Sequence, residues 1–236
     1  SALSSFAMID EYGFVETPYR KVDKETGKLT DIVDYMPADE EDKYTIAQAS
    51  EPVDAEGRFV NKMVKVRRRS EITEVKASEV DYVDVSPKQL VSVAAAMIPF
   101  LEHDDVKRSL MGSNMQRQAV PLLIPESPIV GTGMEYRAAK DSGILILAED
   151  DGVVKKVTGD AITMKYNNGK TVIHKLRKFK RTNGGTCINQ RPIVKKGEIV
   201  KKGDALADGP ATKDGEMALG KNMLVAFSTW EGYNYE

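Results

Sequence analysis

The pattern of apolar and polar positions divides the chain into three stretches. Residues 17–85 are irregular, with short β-favouring runs separated by turn-rich or charged clusters, which predicts a small, mainly β module. The runs are Leu29–Tyr35, Tyr44–Ala49, Arg58–Val66 and Val80–Val85. The β pattern returns after residue 132, with predicted strands at Gly143–Leu147, Gly152–Val157, Ala161–Tyr166 and Thr171–Leu176. The whole is therefore predicted to be mainly β with a small helical segment, an α+β fold.

A helix is predicted to open at Ser86. Serine suits the N-cap, and Pro87 suits the first helical position. One apolar face is then formed by Leu90, Val91, Ala94 and Ala95. Because proline lacks a backbone N–H, Pro99 should end or bend this helix.

A second helix is predicted from Asp104 or Asp105, acids that favour a helix N-terminus, to about Gln116. On such a helix Asp105, Arg108 and Gly112 fall on one side at spacings of three and seven residues. The apolar residues of this helix are predicted to be core, namely Leu110, Met111 and Met115.

Glycine turns punctuate the C-terminal β stretch. Residues 167–169, Asn-Asn-Gly, predict a tight hairpin, and Lys-Lys-Gly recurs at 195–197 and 201–203. Short strands broken in this way resemble barrel-sandwich hybrid domains, the fold of biotinyl and lipoyl carriers. A carrier would display a lysine on a hairpin, and Met164-Lys165 matches that pattern poorly. Alternation through Met223–Phe227 predicts one further strand.

Composition narrows the class of protein. Hydrophobic residues make up 41% of the 236 residues and charged residues 30%, as in ordinary globular proteins. The single cysteine, Cys187, rules out an internal disulfide and any site with several thiolates, which suits a reducing cytoplasm. No apolar run approaches the roughly 20 residues of a membrane span. Because the chain starts without Met and stops at EGYNYE, we expect it to be part of something larger.

A net charge of −2 hides a strong asymmetry along the chain. Residues 31–56 hold nine acids and one lysine, whereas residues 165–202 hold twelve Lys or Arg and only Glu198 as an acid. One interpretation is that both stretches are solvated surfaces. Alternatively, the basic stretch contacts nucleic acid or an acidic protein, as in a stand-alone basic binding module. Composition does not choose between these interpretations.

Residues 101–120, LEHDDVKRSLMGSNMQRQAV, form an unusually polar run between two apolar segments. With its flanks it resembles the β subunit of bacterial DNA-directed RNA polymerase. Further motifs occur in that family's order: CINQRPIV, GDALADGPAT, ALGKNMLVAF and WEGYNYE. The resemblance implies a lead-in segment from the fork region, a small external β domain, a hybrid-binding region with part of a double-psi barrel, and a barrel-sandwich hybrid insert. The implied boundaries are 1–17 for the lead-in, 18–80 for the external domain, 81–135 for the helical part of the hybrid-binding region, 136–211 for the insert and 212–236 for the C-terminal strand of the hybrid-binding region.

The resemblance also implies roles for particular residues. Arg108 would contact the triphosphate of the incoming nucleotide, while Gln118, Asn114 and Arg117 would lie near the RNA 3′ end. Glu236 would be the first acid of a pair near the second Mg²⁺ ion. From the residues alone, the alternatives are that Arg108 pairs with Asp105 and that Gln118 caps the helix.

The chain should not hold a complete metal site or a catalytic residue of its own. It has no DxDxD-like triad, and in the family such aspartates belong to the β′ subunit and hold Mg²⁺. The implied partners are β′, the α subunits, the rest of β, the DNA template, RNA and nucleoside triphosphates, in the cytoplasm around the nucleoid. His103 and His174 lack convincing metal or catalytic partners and are predicted to be structural.

Overall fold

The computed structural model describes residues 6–234, which fall into two compact units with a boundary between Val93 and Ala94. Both are built mainly from short strands with few helical turns, so the predicted mainly β class with a small helical part is confirmed. The finer five-part division stays a prediction. In the part of the chain that the structure describes, no helix is long and apolar enough to cross a bilayer.

The N-terminal unit is one seven-stranded sheet with one short α-helix, α1 (Ala38–Glu41), and two 3₁₀ turns at residues 77–79 and 87–90. The strand order is β1-β2-β7-β4-β5-β6, β3 pairs with the other side of β2, and only the β4–β7 pair is parallel. The strands are β1 (Met8–Ile9), β2 (Val15–Val22), β3 (Leu29–Met36), β4 (Ile46–Ala47), β5 (Met63–Arg68), β6 (Glu71–Lys76) and β7 (Tyr82–Asp84). The predicted run Leu29–Tyr35 corresponds to β3, whereas β2 and β6 were missed.

Valine side chains fill the main core of this unit, which consists of Val22, Ala47, Val64, Val66, Val80 and Val83. A cluster of charged side chains lies at the surface of the same sheet. Arg67 Nε donates to Glu41 Oε1 at 2.7 Å, which ties α1 to β5. Burial raises the pKa of the neighbouring Asp84 carboxyl. The Arg67 guanidinium, 3.9 Å away, opposes this increase only in part.

Two buried tyrosines form part of a second core cluster. Tyr82 Oη donates to Asp34 Oδ2 at 3.0 Å, and Tyr19 Oη accepts from Thr17 Oγ1 at 2.8 Å. Burial raises the pKa of each phenol to about 12, because the phenolate would lose its hydration.

Alkaline titration should therefore reveal two late phenols. Unfolded tyrosines ionise near pH 10, so the unfolded state loses these protons first, and stability falls as the pH rises from about 10 towards 12. Phenolate absorbance should show Tyr19 and Tyr82 titrating only near pH 12 or on unfolding, and Tyr166 of the C-terminal unit, whose pKa burial also raises, titrating later than an exposed tyrosine. Tyr19→Phe and Tyr82→Phe should each remove one late step. Ionisation of every tyrosine near pH 10 with the fold intact would contradict the burial.

The C-terminal unit combines three short helices with a β module. The helices are α2 (Val93–Ala96, at the junction), α3 (Val106–Arg117) and α4 (Met134–Asp141). The strands are β8 (Ile146–Leu147), β9 (Gly152–Val157), β10 (Ala161–Tyr166), β11 (Thr171–Lys175), β12 (Lys180–Arg181), β13 (Cys187–Ile188), β14 (Arg191–Pro192), β15 (Ile199–Val200), β16 (Ala205–Asp208), β17 (Thr212–Lys213) and β18 (Glu216–Met217). They form two larger sheets, β11-β10-β9-β15 and β14-β16-β8, and the hairpins β12-β13 and β17-β18.

The core of the β module is made by side chains that point inward from both larger sheets. It includes Val154, Ile162, Met164, Tyr166, Val200 and Leu206. The predicted hairpin joins β10 to β11, with Gly169 at φ 84°, a left-handed conformation that glycine adopts without a Cβ clash. The predicted strands of this region overlap β8 to β11, so the local pattern is confirmed here.

Two predicted elements are wrong. The helix from Ser86 is interrupted: residues 87–90 form a 3₁₀ turn, and Val91 is extended at φ −97° and ψ 131°. Buried Gln89 donates from Nε2 to Pro18 O at 3.3 Å, and the β-branched valines on either side of Ser92 disfavour continuation. Residues 223–227 are not a strand, because no other strand lies beside them among residues 6–234.

Gly152 is required for close strand packing in β9. A Cβ there would lie 2.5 Å from Lys165 O and 2.9 Å from Tyr166 Cα, both backbone atoms of β10. We expect Gly152→Ala to lower the free energy of unfolding by about 1–3 kcal/mol through overpacking. Gly159→Ala is the control, since a Cβ at that position meets nothing within 4 Å. Equal thermal stability of the two variants would refute this account of β9.

Candidate functional site

Helix α3 begins and ends close to the predicted residues. Asp105 is its N-cap, with Oδ2 accepting from the Lys107 backbone N–H at 3.1 Å. At the other end Gln118 leaves the helical conformation, and its backbone N–H donates to Met115 O at 3.1 Å. The sequence therefore located this helix to within a residue or two.

The face of α3 that is buried differs from the predicted one. Ser113 is 8% exposed, and a Cβ at Gly112 would lie 3.5 Å from Ile98 Cδ1, so small residues pack against the preceding segment. The expected core residues are instead exposed: Leu110, Met111 and Met115. The prediction that they are core is wrong because apolar side chains are spread around the helix, and only the small residues allow a close approach.

Arg108 lies on the first turns of α3 with its side chain in solvent. Among the residues described, its guanidinium forms no ion pair, and the suggested pairing with Asp105 is absent. The Asp105 carboxylate is used to cap the helix instead. The arginine is therefore a positive charge with no protein partner here.

Gln118 belongs to the same row of side chains as Arg108. Helical periodicity aligns Arg108, Met111, Met115 and Gln118 at spacings of three, seven and ten residues, over about 15 Å of helix axis. The backbone of Gln118 closes the helix, whereas its side chain makes no hydrogen bond within residues 6–234. The row thus presents a cation at one end and a neutral amide at the other.

Asn114 and Arg117 form a separate pair on α3. Arg117 Nη2 donates to Asn114 Oδ1, one turn earlier on the helix. This contact holds the guanidinium along the helix surface. The structure thus brings four of the five predicted site residues onto one helix, while Glu236 lies outside the described residues.

The described residues do not fit a magnesium centre. Nowhere in residues 6–234 do three His, Cys, Asp or Glu side chains gather as possible ligands.

A small cavity lies behind α3 and was not foreseen from the sequence. Its volume is about 190 Å³, and its lining includes Met97, Gln116 and Glu126. Gln116 Oε1 is buried there without a hydrogen-bond partner among the described residues. Beside it, Glu126 accepts from Lys221 Nζ at 3.0 Å and from the Asn222 N–H at 3.1 Å, which lowers the pKa of its carboxyl.

The other sequence candidates do not gather into a site among the described residues. His174 Nε2 lies 2.8 Å from Tyr166 Oη within the β10–β11 hairpin, and exposed His103 lies 3.9 Å from Glu102 Oε1. Lys165 follows the fully buried Met164 inside β10 rather than at a hairpin tip. A swinging carrier lysine needs an exposed turn, so the carrier alternative has no support at this position.

Comparison with known proteins identifies the family. One family model, RNA polymerase beta subunit external 1 domain, matches residues 19–86, and another, RNA polymerase Rpb2, domain 6, matches residues 147–236. Proteins named DNA-directed RNA polymerase subunit beta are 63% identical in Caldicellulosiruptor bescii and Acetivibrio thermocellus, and 60% identical in Alkaliphilus oremlandii. This chain belongs to the β-subunit family of DNA-directed RNA polymerase. It is covered completely in these comparisons but spans 19% of each relative's length.

Helix α3 lies between the two matched domain ranges. The α3 sequence is therefore shown to be typical of this family by the relatives, whose similarity extends over the whole chain. The domain descriptions agree with the two structural parts that flank α3, an N-terminal β unit and a C-terminal β module.

The Asp105 cap can be tested by substitution. Asp105→Ala should destabilise the C-terminal unit by about 0.5–2 kcal/mol, because the Lys107 N–H loses its side-chain acceptor. Asp104→Ala is a matched control, because the Asp104 side chain has no hydrogen bond or ion pair in the described chain. The measurement is chemical denaturation followed by circular dichroism, and an equal effect of both substitutions would contradict the capping role.

Proposed function

We propose that this chain forms part of the active-centre wall of a DNA-directed RNA polymerase, where α3 contacts the incoming nucleoside triphosphate and the RNA 3′ end. The observation that carries the proposal is the unpaired Arg108 guanidinium on a solvent-facing row of α3. Membership in the β-subunit family supports it, because the relatives are named DNA-directed RNA polymerase subunit beta, and nucleotide addition is the reaction of such a polymerase.

Arg108 is suited to a triphosphate. Its planar guanidinium can donate two parallel hydrogen bonds to phosphate oxygens and offset the charge that develops on the departing pyrophosphate. Because no carboxylate neutralises it in the described chain, its full charge is available to the substrate.

Gln118 is suited to a part of the substrate that is common to all four nucleotides. A neutral amide offers both donors and acceptors to ribose or phosphate without preferring one base. We place Asn114 and Arg117 in the same wall near the RNA 3′ end, with Asn114 orienting the Arg117 guanidinium.

Other parts of the polymerase would supply the rest of the active centre. The proposed partners are the β′ subunit with its Mg²⁺-binding aspartates, the α subunits, the remainder of β, the DNA template and RNA, in the bacterial cytoplasm around the nucleoid. Exposure of the apolar Leu110, Met111 and Met115 supports burial of this helix by such neighbours.

The 236-residue chain alone should have no nucleotidyltransferase activity, since no described cluster of acids can position two Mg²⁺ ions. Template-dependent extension of a labelled primer should stay at background with Mg²⁺ or Mn²⁺. Extension that persists through further purification of the chain would contradict the proposal that the β′ subunit supplies the Mg²⁺-binding aspartates.

In the intact polymerase that carries these residues, Arg108→Ala should weaken nucleotide use. Losing a charge-assisted contact of about 1.5–3 kcal/mol lowers kcat/KM by roughly 10- to 150-fold. Arg108→Lys should rescue only in part, because an ammonium group cannot make the two-pronged contact. The measurement is single-nucleotide addition by stalled complexes over a range of nucleotide concentrations.

Arg137→Ala serves as the control, since exposed Arg137 pairs with Asp141 on α4 at 3.5 Å. It should leave kcat/KM unchanged, and the lifetime of stalled Arg108→Ala complexes should equal that of the wild type. Normal kcat/KM together with faster dissociation of the Arg108→Ala complexes would make Arg108 a structural residue and sink the proposal.

A further inference from the structure

The β module carries a stretch of uncompensated positive charge. Residues 161–197 contain ten Lys or Arg and no Asp or Glu, the ten being Lys165, Lys170, Lys175, Arg177, Lys178, Lys180, Arg181, Arg191, Lys195 and Lys196. Within the described chain none of these ten forms an ion pair. Such a surface attracts a polyanion over a distance of about a Debye length.

An exposed aromatic ring lies within this stretch. Phe179 is 73% exposed, and its backbone has φ 50°, a left-handed conformation that disfavours any residue with a Cβ. The Lys178 ammonium lies 5.5 Å from the ring centroid and also donates to Gln190 O at 2.7 Å. Lys178 is thereby fixed beside the ring, and one side of the ring has a cation in place.

The hairpin after Phe179 is well ordered by its own hydrogen bonds. Strand β12 pairs with β13, with Lys180 opposite Ile188 and Arg181 opposite Cys187. Its turn is closed by the Thr182 N–H donating to Thr186 O at 2.8 Å and by a 2.7 Å contact between the two threonine hydroxyls. Lys180 and Arg181 are exposed. The basic residues and the ring are therefore held next to each other on a defined loop.

An ordinary solvated surface accounts for the charges but not for the ring. A phenylalanine that is both exposed and backbone-strained gains nothing from burial, and no contact of its ring with an apolar core is recorded in the described chain. A strained, displayed side chain is a candidate ligand contact, and an aromatic ring among cations suits an unpaired base with its phosphates.

We propose that residues 177–188 of the β module bind single-stranded nucleic acid, with one base stacked on Phe179 and phosphates contacting Arg177, Lys180 and Arg181. Duplex DNA or RNA fits less well, because the faces of its bases are already stacked. An acidic peptide would satisfy the charges but has no aromatic face to match the ring. The site is separate from α3 and does not depend on the proposed function.

The test uses the 236-residue chain and a fluorescein-labelled 20-nucleotide oligouridylate, with binding followed by fluorescence anisotropy at several salt concentrations. Phe179→Ala and Phe179→Gly should each weaken affinity by about 5- to 100-fold, the effect of losing one stacked base. Phe179→Gly should not lower the melting temperature, since glycine accepts the left-handed backbone. Phe179→Tyr should bind as the wild type does.

A charge-matched pair of double variants separates a site from general attraction. Lys180→Gln with Arg181→Gln should reduce the slope of log affinity against log salt by about 1.4, as expected for two lost phosphate contacts. Lys195→Gln with Lys196→Gln removes the same charge from the turn before β15 and should change the slope much less.

The proposal is overturned by equal effects of the two double variants, by wild-type affinity of Phe179→Gly, or by no binding at low salt. Competition by polyglutamate as effective as that by unlabelled oligouridylate would assign the surface to an acidic protein instead, and would equally overturn it.

Discussion

The contact between α3 and the segment that precedes it determines which side chains of α3 face solvent. Gly112 and Ser113 occupy the contact, and Ile98 Cδ1 lies 3.5 Å from the position of a Cβ at Gly112. With the small residues turned inward, Arg108 lies one turn before Gly112 at the edge of this contact, and Gln118 lies on the far side of the helix. A Cβ at residue 112 would be in ordinary van der Waals contact with Ile98 Cδ1, so alanine fits there, whereas a longer side chain would have to displace Ile98.

The β module leaves and returns to the chain at neighbouring points. Glu126, before the module, and Gly220, after it, form an antiparallel bridge, with the Glu126 N–H donating to Gly220 O at 3.0 Å. The Glu126 carboxylate also accepts hydrogen bonds from Lys221 Nζ and from the Asn222 backbone N–H. Because both ends are fixed at one place, the module can carry its own surface chemistry at residues 177–188 without altering α3.

Local signals in the sequence were enough for some elements and not for others. The Asn-Asn-Gly turn and the alternation around it predicted β10 and β11, and Asp105 predicted the start of α3, since each depends on adjacent residues. The burial of α3 was mispredicted because the small residues Gly112 and Ser113 face the preceding segment, which leaves Leu110, Met111 and Met115 exposed. The exposed strand β6 lacks an alternating apolar pattern that would predict it. The interruption after Leu90 involves a hydrogen bond from Gln89 to Pro18, which is distant in the sequence. The roles of Arg108 and Gln118 came from the family resemblance, because an exposed arginine and an exposed amide are individually common.

The most direct test of the central claim is photo-crosslinking in the intact polymerase. A benzophenone amino acid would replace Arg108 or, as a control, Arg137 on α4, and stalled complexes would be irradiated with a radiolabelled incoming nucleotide. The account predicts a labelled β subunit for the probe at residue 108, dependent on a nucleotide that matches the template, and none for the probe at residue 137. Labelling from neither position, or equal labelling from both, would contradict the placement of α3 beside the substrate.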